Sequence, residues 1–266
     1  MALTGPVGEV TRHGAYLCLG GVRPADAARL GREVGALVER LGLANEFDAT
    51  GHPDDAVAFV RRLDVSSGHD ADPAVADAEA IVHVASAGAG TVEAFYADLV
   101  NLLGDAARVT PLAGVVRPAR YTGAAMHQFA YAHQLAQQPG HAAPHAFLVP
   151  LRKTAEWWRK DWMERQTYIL PRYDDEGRML NKGHALSAEA GVAALMRRTY
   201  RHEREPAPAD CYDFLNWFEC AEQDVGTFHA VCGALRDVEQ NPEWRFVREG
   251  PTWHGRRVAT WEELFG

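Results

Sequence analysis

The stretch Val149-Pro-Leu-Arg-Lys153-Thr-Ala-Glu-Trp157-Trp158 decides how the rest of the chain is read. It closes an apolar run from His145 that reads as a strand to Leu151, and it opens helical material reaching to about Ala190. Downstream lie a strand from Ala193 to His202, an aromatic strand Tyr212-Asp-Phe-Leu-Asn-Trp217-Phe-Glu219, a helix from Asp224 to Asp237 and a strand from Trp244 to Arg248.

Upstream, a similar order is legible. Gly14-Ala-Tyr-Leu-Cys-Leu-Gly20 is β-like, Pro24 to Leu43 has helical spacing, and Ala80-Ile-Val-His-Val-Ala85 is a second strand. Gly90 to Leu103 follows as an amphipathic helix, and Ala113-Gly-Val-Val-Arg117 as a strand stopped by Pro118. Gly90-Thr91 and Leu99 align with Gly226-Thr227 and Leu235 at one constant offset, which agrees with the repeated element order. The expected fold class is α+β. Two fused ferredoxin-like halves form an α+β barrel, with an N-terminal half over 1–120, a connecting segment over 121–144 and a C-terminal half over 145–266. Tyr121 to Pro144 reads as a helix plus loop, and residues 66–77 as a surface loop.

At 266 residues and 47% hydrophobic, the chain can build a large core. A formal charge of −9, with no gathered run of Lys and Arg, argues against nucleic acid as a partner. No apolar run approaches membrane-spanning length, and the first ten residues carry neither a charged leader nor an apolar core, so a cytoplasmic location is expected. The four cysteines, Cys18, Cys211, Cys220 and Cys232, form no C-x-x-C pair and read as buried free thiols.

Four registers in order carry a family resemblance. They are the P-x-x-K-x-x-x-W-W segment, His184, an arginine thirteen positions later in Arg197-Arg198-Thr199-Tyr200, and the aromatic strand followed by a helix ending Ala234-Leu-Arg-Asp237-Val-Glu239. In this the chain resembles the chlorite dismutases, firmly over roughly 145–255 and in layout over 10–120. The resemblance implies haem b in the C-terminal half only, a ring-like homo-oligomer, often a pentamer, and a small oxyanion or other small oxidant as substrate. The implied activity is conversion of chlorite to chloride and O₂ through a ferryl-oxo intermediate.

By the same resemblance His184 is the axial ligand of the haem iron, held by a second acceptor on its other ring nitrogen. That acceptor falls on Asp237, or on Glu239 if the shorter aspartate does not reach. Arg197 is the catalytic residue, a permanently charged guanidinium that retains an oxyanion. Strand alternation sends Arg197 and Arg198 to opposite faces. Lys153 and Trp157 are expected at the haem edge, the lysine pairing with a propionate. Trp158 is expected at a subunit interface, and Trp217 either lines the distal pocket or packs in the core. Related coprohaem decarboxylases carry a tyrosine where this chain has Val149, so decarboxylation by a tyrosyl radical is not expected.

One departure stands between Trp158 and His184. Asp174-Asp175-Glu176-Gly177 is a turn signal between two apolar runs, so a hairpin insertion over 166–182 is expected, either at an oligomer interface or as a lid. This keeps two alternatives open: a related haem oxidoreductase, peroxidase-like or acting on an N–O metabolite, and a haem-binding protein without turnover. A haem-free ferredoxin-like domain is a third. His127, His133, His141 and His145 lack zinc spacing, Gly20-Gly21 and Gly88-Ala-Gly90 lack a phosphate-loop context, and there is no G-x-S-x-G elbow.

Overall fold

Strand β1 (Arg12–Gly20) is buried on both faces, and this fixes the architecture. Ala15, Leu17 and Leu19 pack outward under helices, while Tyr16 and Cys18 belong to a second cluster on the opposite face. A strand apolar on both sides needs a layer on each, and here the inner layer is the far wall of a closed sheet.

The computed structural model describes residues 12–23, 26–49, 53–116 and 135–265. After β1 come α1 (Ala27–Arg40), β2 (Ala44–Asn45), β3 (Ala56–Ser66), α2 (Pro73–Ala76), β4 (Ala80–Ser86), α3 (Ala89–Leu103) and β5 (Arg108–Val116). The second run is β6 (His145–Lys153), α4 (Ala155–Arg159), α5 (Trp162–Ile169), β7 (Arg172–Tyr173), β8 (Met179–Asn181), α6 (Gly183–Ser187) and β9 (Met196–Arg201). It ends with β10 (Phe214–Cys220), α7 (Val225–Arg236), β11 (Val247–Glu249) and β12 (Thr252–Val258).

The main sheet runs β10-β9-β5-β1-β4-β3-β12-β6, and β6 pairs back onto β10, closing an eight-stranded barrel. Both runs of four strands adopt the same spatial order, fourth-first-third-second, with antiparallel neighbours. The seam between β5 and β9 rests on the single pair Val115↔Arg201. It closes because Gly14 is bare: a Cβ there would stand 2.2 Å from the Tyr200 ring.

Two helical layers cover the barrel. Leu30, Val34 and Leu37 of α1 and Phe95 and Leu99 of α3 meet Leu17, Phe59, Val82 and Trp261 in one cluster. Phe228, Val231 and Leu235 of α7 meet Phe147, Val149, Leu151 and Phe214 in another.

The sequence reading finds most of these elements but not β3 and β12. Both carry charge where a strand is expected to be apolar, Arg61-Arg62-Leu63-Asp64 in one and Arg256-Arg257 in the other. Arg257 is nevertheless buried, because its guanidinium pairs at 2.8 Å with Glu219 of β10, the strand on the other side of β6. The expected strand from Trp244 begins instead as a 3₁₀ turn, Pro242–Phe246, and only Val247–Glu249 pairs. The loop at 66–77 contains α2, capped by Asp72 onto the Ala74 amide. The hairpin is present as β7 and β8, with Gly177 at φ +78° in its turn. The boundary at 120/121, the expected helix after Tyr121, and His127 and His133 lie outside the described residues.

Candidate active site

Between the β6-β10-β9 wall and the α6–α7 layer the molecule is hollow. Taken together with the solvent space at its open mouth, the cavity comprises about 1370 Å³. Strand alternation sets its sheet wall: Arg197, Thr199 and Arg201 of β9, Phe214, Asn216 and Phe218 of β10, and Val149, Leu151 and Lys153 of β6 all face it. The helical wall is His184, Ala185 and Ala188 with Val231 and Leu235. Such a slot, apolar with a few convergent polar groups, is the usual form of a small-molecule or cofactor site.

His184 is placed by its neighbour. Gly183 has φ +60°, and a Cβ there would stand 2.4 Å from the Leu170 carbonyl oxygen, so only glycine lets the chain turn there. The amides of Lys182 and Gly183 both donate to the Gln240 carbonyl, which ties the start of α6 to the turn after α7. His184 then bonds through Nδ1 to Glu243 Oε2 at 2.8 Å, leaving Nε2 for the cavity side. Its side chain keeps 26% of its surface accessible, against 7% for Glu243.

Glu243 also accepts from Lys153 Nζ at 2.5 Å, so one buried carboxylate joins Lys153 to His184. Burial alone would raise the Glu243 carboxyl, but Lys153 and His184 outweigh it and hold the pKa down at about 2. Burial lowers the Lys153 pKa, with Glu243 opposing the shift. Trp157 lies behind this pair, with Lys153 Nζ 4.3 Å from its ring centroid.

On the sheet wall, Thr199 Oγ1 donates to Asn216 Oδ1 at 2.8 Å, giving a fixed polar pair between Arg197 and Arg201. Glu249, also in the wall, is gripped by Arg236 through Nε at 3.0 Å to each oxygen.

The expected site residues divide accordingly. His184, Arg197 and Lys153 line one cavity. Asp237 is not the acceptor for His184, and neither is Glu239. Asp237 ends α7 and uses Oδ1 and its carbonyl to cap the amides of Glu239, Gln240 and Asn241. That turn carries the chain onward, so the acid reaching the histidine is Glu243, behind Pro242 in the next 3₁₀ turn. Lys153 Nζ pairs with Glu243, a carboxylate of the chain itself. Trp157 is not in the cavity wall; it packs on Tyr168 and Phe246. Trp217 is excluded by parity, because Phe214, Asn216 and Phe218 take the cavity face of β10. It lies inside the barrel, 0% exposed, donating its indole N–H to Glu219 Oε1 at 2.9 Å. Trp158 is half-buried and stacks on Phe214.

The parity that brings Arg197 to the cavity sends Arg198 to the opposite face, as expected from the sequence, but that face is the closed interior of the barrel rather than the outer surface. There Arg198 bonds Glu46 Oε1 at 2.9 Å and His83 Nδ1 at 3.1 Å, and His83 Nε2 lies 2.8 Å from the Tyr200 hydroxyl. The sequence reading missed this cluster, together with Glu243, Thr199, Arg201 and Asn216. Asn216 and Arg201 are recoverable by counting in twos from Phe218 and Arg197, but no local signal marks Glu46 or Glu243. Among the described residues, no group of three or more His, Cys, Asp or Glu side chains is arranged to hold a metal ion.

No protein-family model matches the chain, and no curated protein does. Solved structures do. An arginine-to-lysine variant of chlorite dismutase from Candidatus Nitrospira defluvii matches at TM-score 0.68 and 18% identity, over 97% of this chain and 95% of that one. The same protein in complex with imidazole matches at TM-score 0.67 and 18% identity, over 95% and 93%. A double variant, tryptophan to tyrosine and arginine to glutamine, gives the same figures. The chain therefore has the fold of the chlorite dismutases. No helix among the described residues is long and apolar enough to cross a membrane.

Proposed function

We propose that this protein is a haem b oxidoreductase of the chlorite dismutase type that converts chlorite to chloride and O₂. The observation that carries the reading is the Lys153–Glu243–His184 chain, which spans from the sheet wall to the helical wall of one cavity, with Arg197 on the sheet wall of the same cavity. The repeated strand order supports the reading of the barrel as two fused ferredoxin-like halves, and the cavity lining, Val149 to Glu249, supports a cofactor in the C-terminal one.

The residues fit the group. A haem iron takes a neutral imidazole whose other nitrogen is fixed by an acceptor, and His184 has Nδ1 on Glu243 and Nε2 toward the cavity. The walls offer Val149, Leu151, Phe214, Phe218, Val231 and Leu235 to the faces of a porphyrin. Haem, when bound, supplies the redox chemistry that breaks the O–Cl bond and joins the two oxygens.

The chain does the rest. Glu243 orients the His184 ring and makes it a stronger donor, and Lys153 keeps Glu243 ionised while doing so. Arg197 attracts chlorite and holds the anionic chlorine species at the site until O₂ forms. The apolar wall keeps water out, which strengthens that hold. By resemblance to the chlorite dismutases the protein is a homo-oligomer, with a pentamer favoured.

Haemin titration of the purified protein, read in the visible, is expected to give a Soret band that His184→Ala loses. An O₂ electrode is expected to record rapid O₂ release on adding chlorite to the loaded protein. No specific haem binding would overturn the reading. Arg197→Ala is expected to keep haem, to lose at least about tenfold in turnover, in line with the loss of one oxyanion-stabilising donor, and to bleach sooner. Unchanged turnover and bleaching would remove Arg197 from the mechanism. A second reading, a related haem oxidoreductase with little chlorite activity, is favoured by the β7–β8 hairpin preceding His184, which the sequence resemblance reads as an insertion. Tight haem without O₂ release would select it.

A further inference from the structure

We infer that Arg201 is the receptor for a carboxylate of the bound porphyrin, a site that rests on the haem reading above and extends it. Among the described residues, the permanently basic side chains lining the cavity are Lys153, Arg197 and Arg201. Lys153 is joined to Glu243 and seated over Trp157, so its charge serves the His184 side of the cavity. The acid Glu249 is held by Arg236. On the sheet wall, the planar guanidinium donors come from the two β9 arginines.

Those two have separate stations. Arg197 and Arg201 share the cavity face of β9, four residues and roughly 13 Å apart at strand rise. Arg197 pairs in register with Phe218, and Arg201 with Phe214 at the other end of the wall. That spacing suits a macrocycle with its centre against Arg197 and a carboxylate arm reaching Arg201. Arg201 is 5% exposed, and its guanidinium carbon stands 5.5 Å from the Phe214 ring centroid, so the ring helps to fix the plane of the fork. A guanidinium has five N–H donors in a rigid plane and can give two to a carboxylate while others keep contacts within the protein.

The test compares haemin with haemin dimethyl ester, in which both carboxylates are masked, in Soret titrations of the wild type, R201Q and R201K. The wild type is expected to bind haemin at least about tenfold more tightly than the ester. R201Q is expected to lose that preference by weakening haemin alone, with ester affinity within about twofold of wild type. R201K, which keeps the charge without the planar fork, is expected to fall between. Equal affinity of the wild type for haemin and ester overturns the inference, and so does an R201Q protein that keeps the wild-type preference. If R201Q does not fold, the wild-type comparison and R201K decide. The haem reading fails differently: neither porphyrin then gives a Soret band that depends on His184.

Discussion

The molecule contains two buried clusters of the same composition, each a carboxylate bridging a basic side chain and a histidine. Arg198–Glu46–His83 lies inside the barrel, and Lys153–Glu243–His184 lies at the cavity. The side chains of Glu46 and His83 are 0% exposed, while His184 keeps 26% of its surface. The interior histidine has both ring nitrogens occupied, by Arg198 and Glu46 on one side and Tyr200 on the other. The cavity histidine is held through Nδ1 alone. The same three groups thus make a structural strut where every valence is met, and a ligand-presenting device where one nitrogen is left toward open space.

If that contrast is right, the interior cluster carries more stability. Glu46→Ala would leave Arg198 charged and sealed in the barrel, which costs about 3–5 kcal/mol for a buried pair broken on one side. Urea unfolding checks this, and a loss under about 1 kcal/mol would show that water reaches Arg198. Glu243→Ala is expected to cost less, about 1–3 kcal/mol, the range for one unsatisfied buried partner, because the cavity offers Lys153 and His184 a route to solvent. A larger loss than that of Glu46→Ala would invert the comparison.

The two clusters also differ in how far the sequence reveals them. His184 and Arg197 are legible because their thirteen-residue separation belongs to one contiguous piece of chain, and β9 alternation assigns Arg197 and Arg198 to opposite faces. The partners are not. Glu46 meets Arg198 across 152 positions, and Glu243 meets Lys153 across 90, so each pairing is set by how the sheet closes rather than by local pattern. Asp237 illustrates the error this causes. It occupies the expected place at the helix end, but an acid there satisfies the amides of the following turn, and the chain runs on before an acid reaches His184. β3 and β12 are missed for a related reason: Arg257 disguises a barrel strand as surface until its pairing with Glu219, two strands away, is seen. The element order of the remainder is legible because Leu17, Phe95, Phe147 and Phe228 follow simple period-2 and helical spacing.

Acid separates the clusters further. His83 is held neutral, its pKa lowered to about 4 by burial and then by Arg198. A histidine depressed in the folded state contributes stability that is complete above its unfolded pKa near 6.5 and is lost as pH falls through about 4. Glu243, held at about 2, contributes stability that is complete above about 4.5 and is lost as pH falls through about 2. Unfolding free energy measured from pH 7 downward is therefore expected to decline first through the interior cluster, between about 6.5 and 4, and only then through the cavity cluster. His83→Gln, which keeps hydrogen-bonding capacity without a titrating ring, is expected to flatten the upper part of that decline. Glu243→Gln is expected to leave the upper part intact and flatten the segment below about 4.5. If Glu243→Gln flattened the upper part instead, His83 would not be the group behind it, and the sealed cluster would not be the strut described here.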